Sequence, residues 1–150
     1  MPAPCEIADA VKALRSRTGE EFLLSENSVE GTELHVVYAK EHQLPERYSQ
    51  TKGMFGFRVP LRFPNACPED CFFLVPDTIK LVDEDPVRRS KDINRAGVTQ
   101  NFLKGSGLDN VPVLVFSWHL WNKVSWDRNK HNLVDHYLHC LRRFEQEEHD

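Results

Sequence analysis

The sequence predicts an α+β domain with one helix near each end and antiparallel strands between them. Apolar residues recur at helical spacing near both ends of the chain, whereas in the middle they alternate with polar ones. A turn-forming stretch rich in proline and polar residues separates two of the alternating runs, as in an antiparallel meander. The length of 150 residues fits a single domain covering residues 1–150.

The first predicted element is a short amphipathic helix over residues 6–17. Gly19 follows it and supplies a stop signal. The apolar residues of this segment share one helical face, which predicts that the helix packs against the rest of the domain: Ile7, Ala10, Val11 and Leu14.

Three strands are predicted next, over residues 33–40, 55–63 and 71–75. The first two place their apolar side chains on alternate positions, and the third is a continuous apolar run stopped by Pro76. Pro60 lies inside the second run and cannot donate to a sheet ladder. It therefore predicts an edge strand or a bulge at that point.

The second half begins with a weak signal and ends with a strong one. Residues 77–110 lack periodicity and are predicted to form a long irregular surface loop. Residues 111–116 restore a strand, and residues 129–146 form the strongest predicted helix, whose first turn Asp127 or Asn129 can cap. Its apolar stripe consists of Leu133, Val134, Tyr137, Leu138, Leu141 and Phe144.

Composition excludes several classes of function. A net charge of −4 argues against general nucleic-acid binding, which needs a basic excess, and no apolar run is long enough to span a membrane. The chain carries four cysteines with no secretory leader before them. Free thiols in a reducing cytoplasm are therefore the expectation.

Neither a cofactor nor a metal site is expected. Nothing glycine-rich has the spacing of a phosphate-binding loop. Cys67 and Cys71 flank a turn, but a zinc site with four ligands needs two more. His136, His139 and Cys140 can share a face of the last helix, yet no carboxylate is placed to complete a site there.

All three tryptophans fall between residues 118 and 126, beside a hydroxyl and an imidazole. Ser117 and His119 are two positions apart, so in an extended segment their side chains point to the same side. Either the two groups merely satisfy neighbouring backbone groups at a corner of the core, or they form a site. The tryptophans are expected to pack at that corner, with Trp121 as the one that can stay exposed.

The order of these features resembles the ubiquitin-conjugating (UBC) fold. In that family a strand ends in a proline-rich turn, a second strand follows, and after a long irregular segment a tryptophan introduces a helix. This chain has L-R-F-P-N-A-C-P-E-D-C-F-F at residues 61–73, and Trp126 before the last helix. The resemblance is closest to a prokaryotic branch with a W-S-x-H element, matched here by F-S-W-H at residues 116–119.

The resemblance implies a UBC-like domain with an N-terminal helix, an antiparallel meander of about four strands, a long active-site loop and a C-terminal helix. Members of that branch work in bacterial pathways with an activating enzyme and a ubiquitin-like modifier protein. This chain departs from the family because Trp118 occupies the place of the usual catalytic cysteine. The His-Pro-Asn element is also absent, although Asn94 or Asn101 can supply an asparagine.

The candidate catalytic residues are Ser117 and His119. A serine hydroxyl is not ionised at neutral pH and requires a base within hydrogen-bond reach, a role that His119 can fill. Alternatively, His119 acts directly on the transferred acyl group. Either chemistry would make the protein a transferase that receives the modifier C-terminus from the activating enzyme.

The candidate binding residues are Trp118 and Trp121 together with Arg88 and Arg89. The two arginines begin a basic run that is either a solvated loop or a docking patch for an acidic partner. Two further functions remain open. One is a catalytically inactive UBC-like module that binds a modifier or scaffolds the activating enzyme, and the other is a hydrolase that uses the serine and histidine on a small ester.

Overall fold

Two helices and a six-stranded sheet make up the part of the chain that the structure describes. The structure is a computed structural model, and it describes residues 4–46, 48, 50–79, 96–117, 121 and 125–145. The elements follow in the order α1 (Cys5–Thr18), β1 (Leu23–Leu24), β2 (Leu34–Gln43), β3 (Lys52–Pro60), β4 (Cys71–Val75), β5 (Ala96–Thr99), β6 (Val113–Ser117) and α2 (Leu133–Glu145).

The sheet has the strand order β1-β2-β3-β4-β6-β5, and every neighbouring pair is antiparallel. The α+β class and the helix near each end are confirmed. The expected count of about four strands is wrong, because the described sheet has six. β1 was not predicted because two residues are too few to show a periodicity. β5 was not predicted because it is four residues long and lies in a polar stretch.

The second half of the expected long loop is therefore structured. β5 pairs with β6 in continuous register, from Ala96 opposite Phe116 to Thr99 opposite Val113. Residues 100–108 then cross one face of the sheet and bury Phe102 and Leu103 against it. The remainder of that loop, residues 80–95, lies outside the described residues.

Pro60 does not mark an edge strand. β3 is an interior strand between β2 and β4, and Pro60 is its last residue, opposite Leu34. Proline is tolerated there because the strand ends and the chain leaves the ladder. The irregularity in register lies instead in β2, between Ala39 and His42.

The sheet is buried on both faces. One face packs against α1 and α2, and the other packs against residues 100–108. The first face holds most of the large aromatic side chains, including Phe55, Phe57, Phe72 and Phe116, together with Leu74 and Leu114. This two-sided burial explains why the apolar run of β4 is continuous rather than alternating.

Helix α2 begins with a reciprocal pair of hydrogen bonds. The backbone N–H of Asp135 donates to the Asn132 side-chain oxygen at 3.1 Å, and the Asn132 N–H donates to the Asp135 carboxylate at 2.8 Å. This arrangement is a capping box. The expected caps were wrong, because the Asp127 carboxylate accepts the backbone N–H of Asn129 in the turn before the helix.

The buried face of α2 consists of Leu133, His136, Tyr137 and Cys140. Leu138 lies off this face and is 52% exposed, so its expected place in the apolar stripe is wrong. The side chain of Phe144 lies outside the described residues. A histidine rather than leucine therefore completes the stripe that attaches α2 to the domain.

The capping box gives a direct test of this helix start. Replacing Asn132 with alanine removes the acceptor for the Asp135 N–H and should lower the free energy of unfolding by about 1 kcal/mol. The matched control is Asn129→Ala, since the Asn129 side chain makes no hydrogen bond among the described residues. Urea unfolding of both variants measures the difference, and equal losses would contradict this assignment of the cap.

Candidate functional site

The candidate site lies at the corner where β6 ends and β4 begins. The backbone of Ser117, the last residue of β6, pairs with Cys71, the first residue of β4. The Ser117 side chain, Trp118 and His119 lie outside the described residues, as do Arg88 and Arg89. The described part of the site therefore consists of Trp121, Trp126 and the groups that contact them.

Trp126 joins the proline-rich turn to the start of α2. Its indole N–H donates to the carbonyl oxygen of Pro64 at 2.7 Å. Its ring also packs on Phe63, with the ring centroids 5.8 Å apart. A second tie runs alongside, because the Arg128 guanidinium donates to the side-chain oxygen of Asn65 at 2.6 Å. Segments far apart in the sequence thus meet through an aromatic ring with one polar atom.

Trp121 makes hydrogen bonds through both its backbone and its indole ring. Its backbone N–H donates to the Asp70 carboxylate at 3.3 Å, and its indole N–H donates to Nδ1 of His136 at 3.1 Å. Its ring meets the Trp126 ring edge-on, with a centroid distance of 4.8 Å. Only 7% of Trp121 is exposed, so the expectation that it stays available to a partner is wrong.

Three histidines of the last helix and the turn before it surround Trp121. The ring centroids of His131, His136 and His139 lie 5.0, 6.2 and 5.8 Å from the Trp121 ring. His131 also accepts the backbone N–H of Asp127 through Nδ1 at 3.0 Å. Among the described residues, no three histidine, cysteine or acidic side chains are arranged to hold a metal ion.

His136 is electrically neutral at physiological pH. Complete burial, followed by the nearby charge of His139, lowers the pKa of His136 from 6.5 to about 3. Its ring packs edge-on against Phe57, 4.7 Å away. Because Nδ1 accepts the indole N–H of Trp121, the ring proton lies on Nε2. His136 therefore serves as a buried acceptor, and protonating Nδ1 would break the bond to Trp121.

The cysteines near the corner are poor nucleophiles. All four cysteines of the chain are free thiols. Burial raises the pKa of Cys67, Cys71 and Cys140, and a neighbouring carboxylate, Asp70 or Glu69, adds to each rise. The thiolate is the reactive form, so the raised pKa makes each of these three thiols a weaker nucleophile at neutral pH.

The start of β4 is secured by an ion pair. The guanidinium of Arg58 makes two hydrogen bonds to the carboxylate of Glu69, at 2.6 and 2.7 Å. Cys71 donates its thiol proton to the same carboxylate at 3.3 Å. The guanidinium also lies 3.7 Å from the ring centroid of Phe102, which holds residues 100–108 against the sheet.

Two pockets lie away from this corner. One has a volume of about 580 Å³ and opens between the end of α1 and β2, with mixed charges on its rim: Arg15, Glu20, Glu21, Lys40 and Glu41. The other, of about 280 Å³, is lined in part by His42 and Tyr137.

The Tyr137 hydroxyl and Nε2 of His42 are 2.7 Å apart, and Nδ1 of His42 lies 2.8 Å from the Gln43 carbonyl. Both side chains are buried and tie α2 to β2.

Sequence reasoning missed two residues that build the corner. Asp70 accepts the backbone of Trp121, and His136 accepts its indole. Asp70 lies in the proline-rich turn on which the resemblance is based. Nothing in the sequence spacing predicts that its side chain contacts residue 121. His136 occupies a position on the buried stripe of α2, and a polar residue on such a stripe was the available signal.

Comparison with known proteins adds no relative. No family model, no curated protein and no solved structure matches this chain. Within the described residues, no helix is both long and apolar enough to traverse a bilayer.

The buried histidine predicts a dependence of stability on pH. The unfolded chain takes up a proton at His136 near pH 6.5, whereas the folded chain does not until about pH 3. Folding stability should therefore fall as the pH drops from 6.5 towards 3, by up to about 1.4 kcal/mol per pH unit for this residue. Above pH 6.5 this residue contributes no slope.

Urea unfolding at several pH values measures the effect. The variant His136→Gln keeps an oxygen that can accept the Trp121 indole but cannot be protonated in this range. We expect it to be less stable than the native chain at pH 7 and to show a shallower loss between pH 6.5 and 4. Parallel profiles for the two proteins would contradict the assignment.

Proposed function

We propose that this chain is a UBC-like component of a bacterial ubiquitin-like conjugation pathway in the cytoplasm. In this role it receives or positions the C-terminus of the modifier, which an activating enzyme delivers. One observation supports the proposal above the others: the proline-rich turn and Trp126, which carry the resemblance, are in direct contact through the bond to Pro64.

The arrangement of the sheet adds support. β2, β3 and β4 are consecutive antiparallel neighbours, as in the meander that the resemblance implies, and α2 follows Trp126. The turn after β3 and the end of β6 both reach the same corner. A flexible tail bound there would meet groups from three separate segments of the chain.

The proposed chemistry is acyl transfer to Ser117 or His119 rather than to sulfur. The pKa values of Cys67, Cys71 and Cys140 are raised, so little of the reactive thiolate is available at neutral pH to form a thioester on them. In the serine route the Ser117 hydroxyl attacks the modifier's activated carbonyl while His119 accepts the hydroxyl proton. The thiol of the activating enzyme departs, and an oxyester forms.

The second candidate is a module with the same fold and no chemistry. Two observations favour it: the raised pKa of each thiol at the corner, and the burial of Trp121 against His136, which leaves little of its side chain open to a modifier tail. Such a module binds the modifier or holds the activating enzyme. It needs no nucleophile, and its binding should survive loss of Ser117 and His119.

The two candidates are separated by an adduct assay. The protein is incubated with ATP and with an activating enzyme and its ubiquitin-like modifier from a bacterial pathway of this kind, and the products are resolved by mass spectrometry. The catalytic proposal predicts a covalent adduct that hydroxylamine cleaves, and that Ser117→Ala combined with His119→Ala abolishes. Ser125→Ala, an exposed serine of the same region, is the matched control and should leave the adduct unchanged.

The outcomes differ for each candidate. An adduct that persists in the double variant would overturn the roles of Ser117 and His119. With no adduct, binding of fluorescently labelled modifier to the protein supports the inactive module. Absence of both adduct and binding, or hydrolysis of simple esters by the protein alone, would overturn the proposed pathway.

A further inference from the structure

Among the described residues, the outer edge of β5 has no pairing partner. β5 comes last in the strand order and has one neighbour, β6. Across the described ranges of the chain, no strand pairs with its other side. An edge strand presents a row of backbone N–H and C=O groups that only another extended backbone can satisfy in register. The chemistry of the edge therefore specifies an extended polypeptide as its occupant.

The opposite side of the sheet is built to resist such pairing. β1 is two residues long, and beyond it β2 carries exposed Lys40 and Glu41 at an irregularity in register. Short strands, charged side chains and bulges are the devices that blunt an edge. β5 is also short, at four residues, but these residues, A-G-V-T, are uncharged and pair with β6 without an irregularity in register.

An apolar row crosses the sheet and ends uncovered at β5. Cross-strand neighbours on the helix-facing side run in the order Ala39, Phe55, Leu74, Leu114 and Val98. The first four are at most 3% exposed, whereas Val98 is 55% exposed. A further strand would place a side chain directly beside Val98 and extend the row by one member.

We propose that the outer edge of β5 binds an extended polypeptide segment as an additional antiparallel strand. Backbone hydrogen bonds would supply most of the affinity, and a β-branched or aliphatic side chain opposite Val98 would supply selectivity. A second copy of this chain is the weaker occupant. Two four-residue edges alone cannot approach the roughly 1,200 Å² that a stable protein interface buries.

The direction of the added strand connects it to the corner. Ala96 lies opposite Phe116, so the start of β5 is beside the end of β6. A strand antiparallel to β5 runs towards that end, and its C-terminus arrives on the side of the sheet where Ser117 lies. This last step rests on the proposed function, in which the segment is the modifier tail. The binding of an extended peptide does not depend on it.

Nuclear magnetic resonance on the full-length chain tests the proposal. The probe is an acetylated peptide of sequence Lys-Thr-Val-Thr-Val-Thr-Gly-Gly, titrated to millimolar concentration. We expect shifts of the β5 and β6 backbone amides and slower hydrogen exchange along β5. The same peptide with alternate backbone nitrogens methylated cannot form the ladder and should not bind.

Two charge substitutions provide the matched comparison. Val98→Lys places a charge on the proposed edge and should weaken peptide binding at least tenfold. Leu138→Lys changes a side chain of similar exposure on α2, 52% against 55%, and should leave binding unchanged. Circular dichroism melts check that both variants stay folded.

Three results would overturn the proposal. The first is no perturbation of β5 at millimolar peptide, and the second is equal weakening in both variants. The third is a concentration-dependent dimer that Val98→Lys dissolves, because the edge would then belong to a second copy. Peptide binding without a modifier adduct or modifier binding would leave this inference standing and reject the proposed function. A modifier adduct or modifier binding without peptide binding would reject this inference and leave the proposed function standing.

Discussion

The corner of this protein depends on hydrogen bonds from two tryptophan indoles, those of the buried Trp121 and the half-buried Trp126. A buried donor without an acceptor costs about 1–3 kcal/mol. A tryptophan ring therefore packs in the interior only where its indole N–H reaches an acceptor. Trp126 finds the Pro64 carbonyl, and Trp121 finds Nδ1 of His136. The first bond joins the turn after β3 to the segment before α2, and the second joins that segment to the helix itself.

This constraint also determines the electrostatics of the corner. An acceptor nitrogen must carry a lone pair, so His136 has to remain neutral, and complete burial keeps it so. The same exclusion of water keeps Cys71 and Cys140 as thiols. A corner of this kind does not stabilise a buried nucleophilic anion. The acyl transfer that we propose therefore uses a hydroxyl with its own base, Ser117 with His119, rather than a buried thiolate.

Periodicity was sufficient to predict both helices and four of the six strands, because each buries an apolar face several residues long. β5 was missed since its strand character comes from pairing with β6 rather than from its own composition. Pro60 led to a wrong expectation because proline is excluded from an interior strand only where its missing N–H would have to donate within the ladder, and Pro60 is the last residue of β3. The partners of Trp121, Asp70 and His136, are distant in sequence, and no local pattern joins them.

Hydrogen exchange of the indole N–H groups tests the central claim most directly. If Trp121 and Trp126 are bonded to His136 and Pro64, both indole protons should exchange more slowly than in an unprotected peptide, and the buried Trp121 proton only through an opening that costs a large part of the global unfolding free energy. Nitrogen-15 labelling of tryptophan allows each proton to be followed by nuclear magnetic resonance at neutral pH. Exchange of either proton at the rate of an unprotected tryptophan peptide would contradict the account.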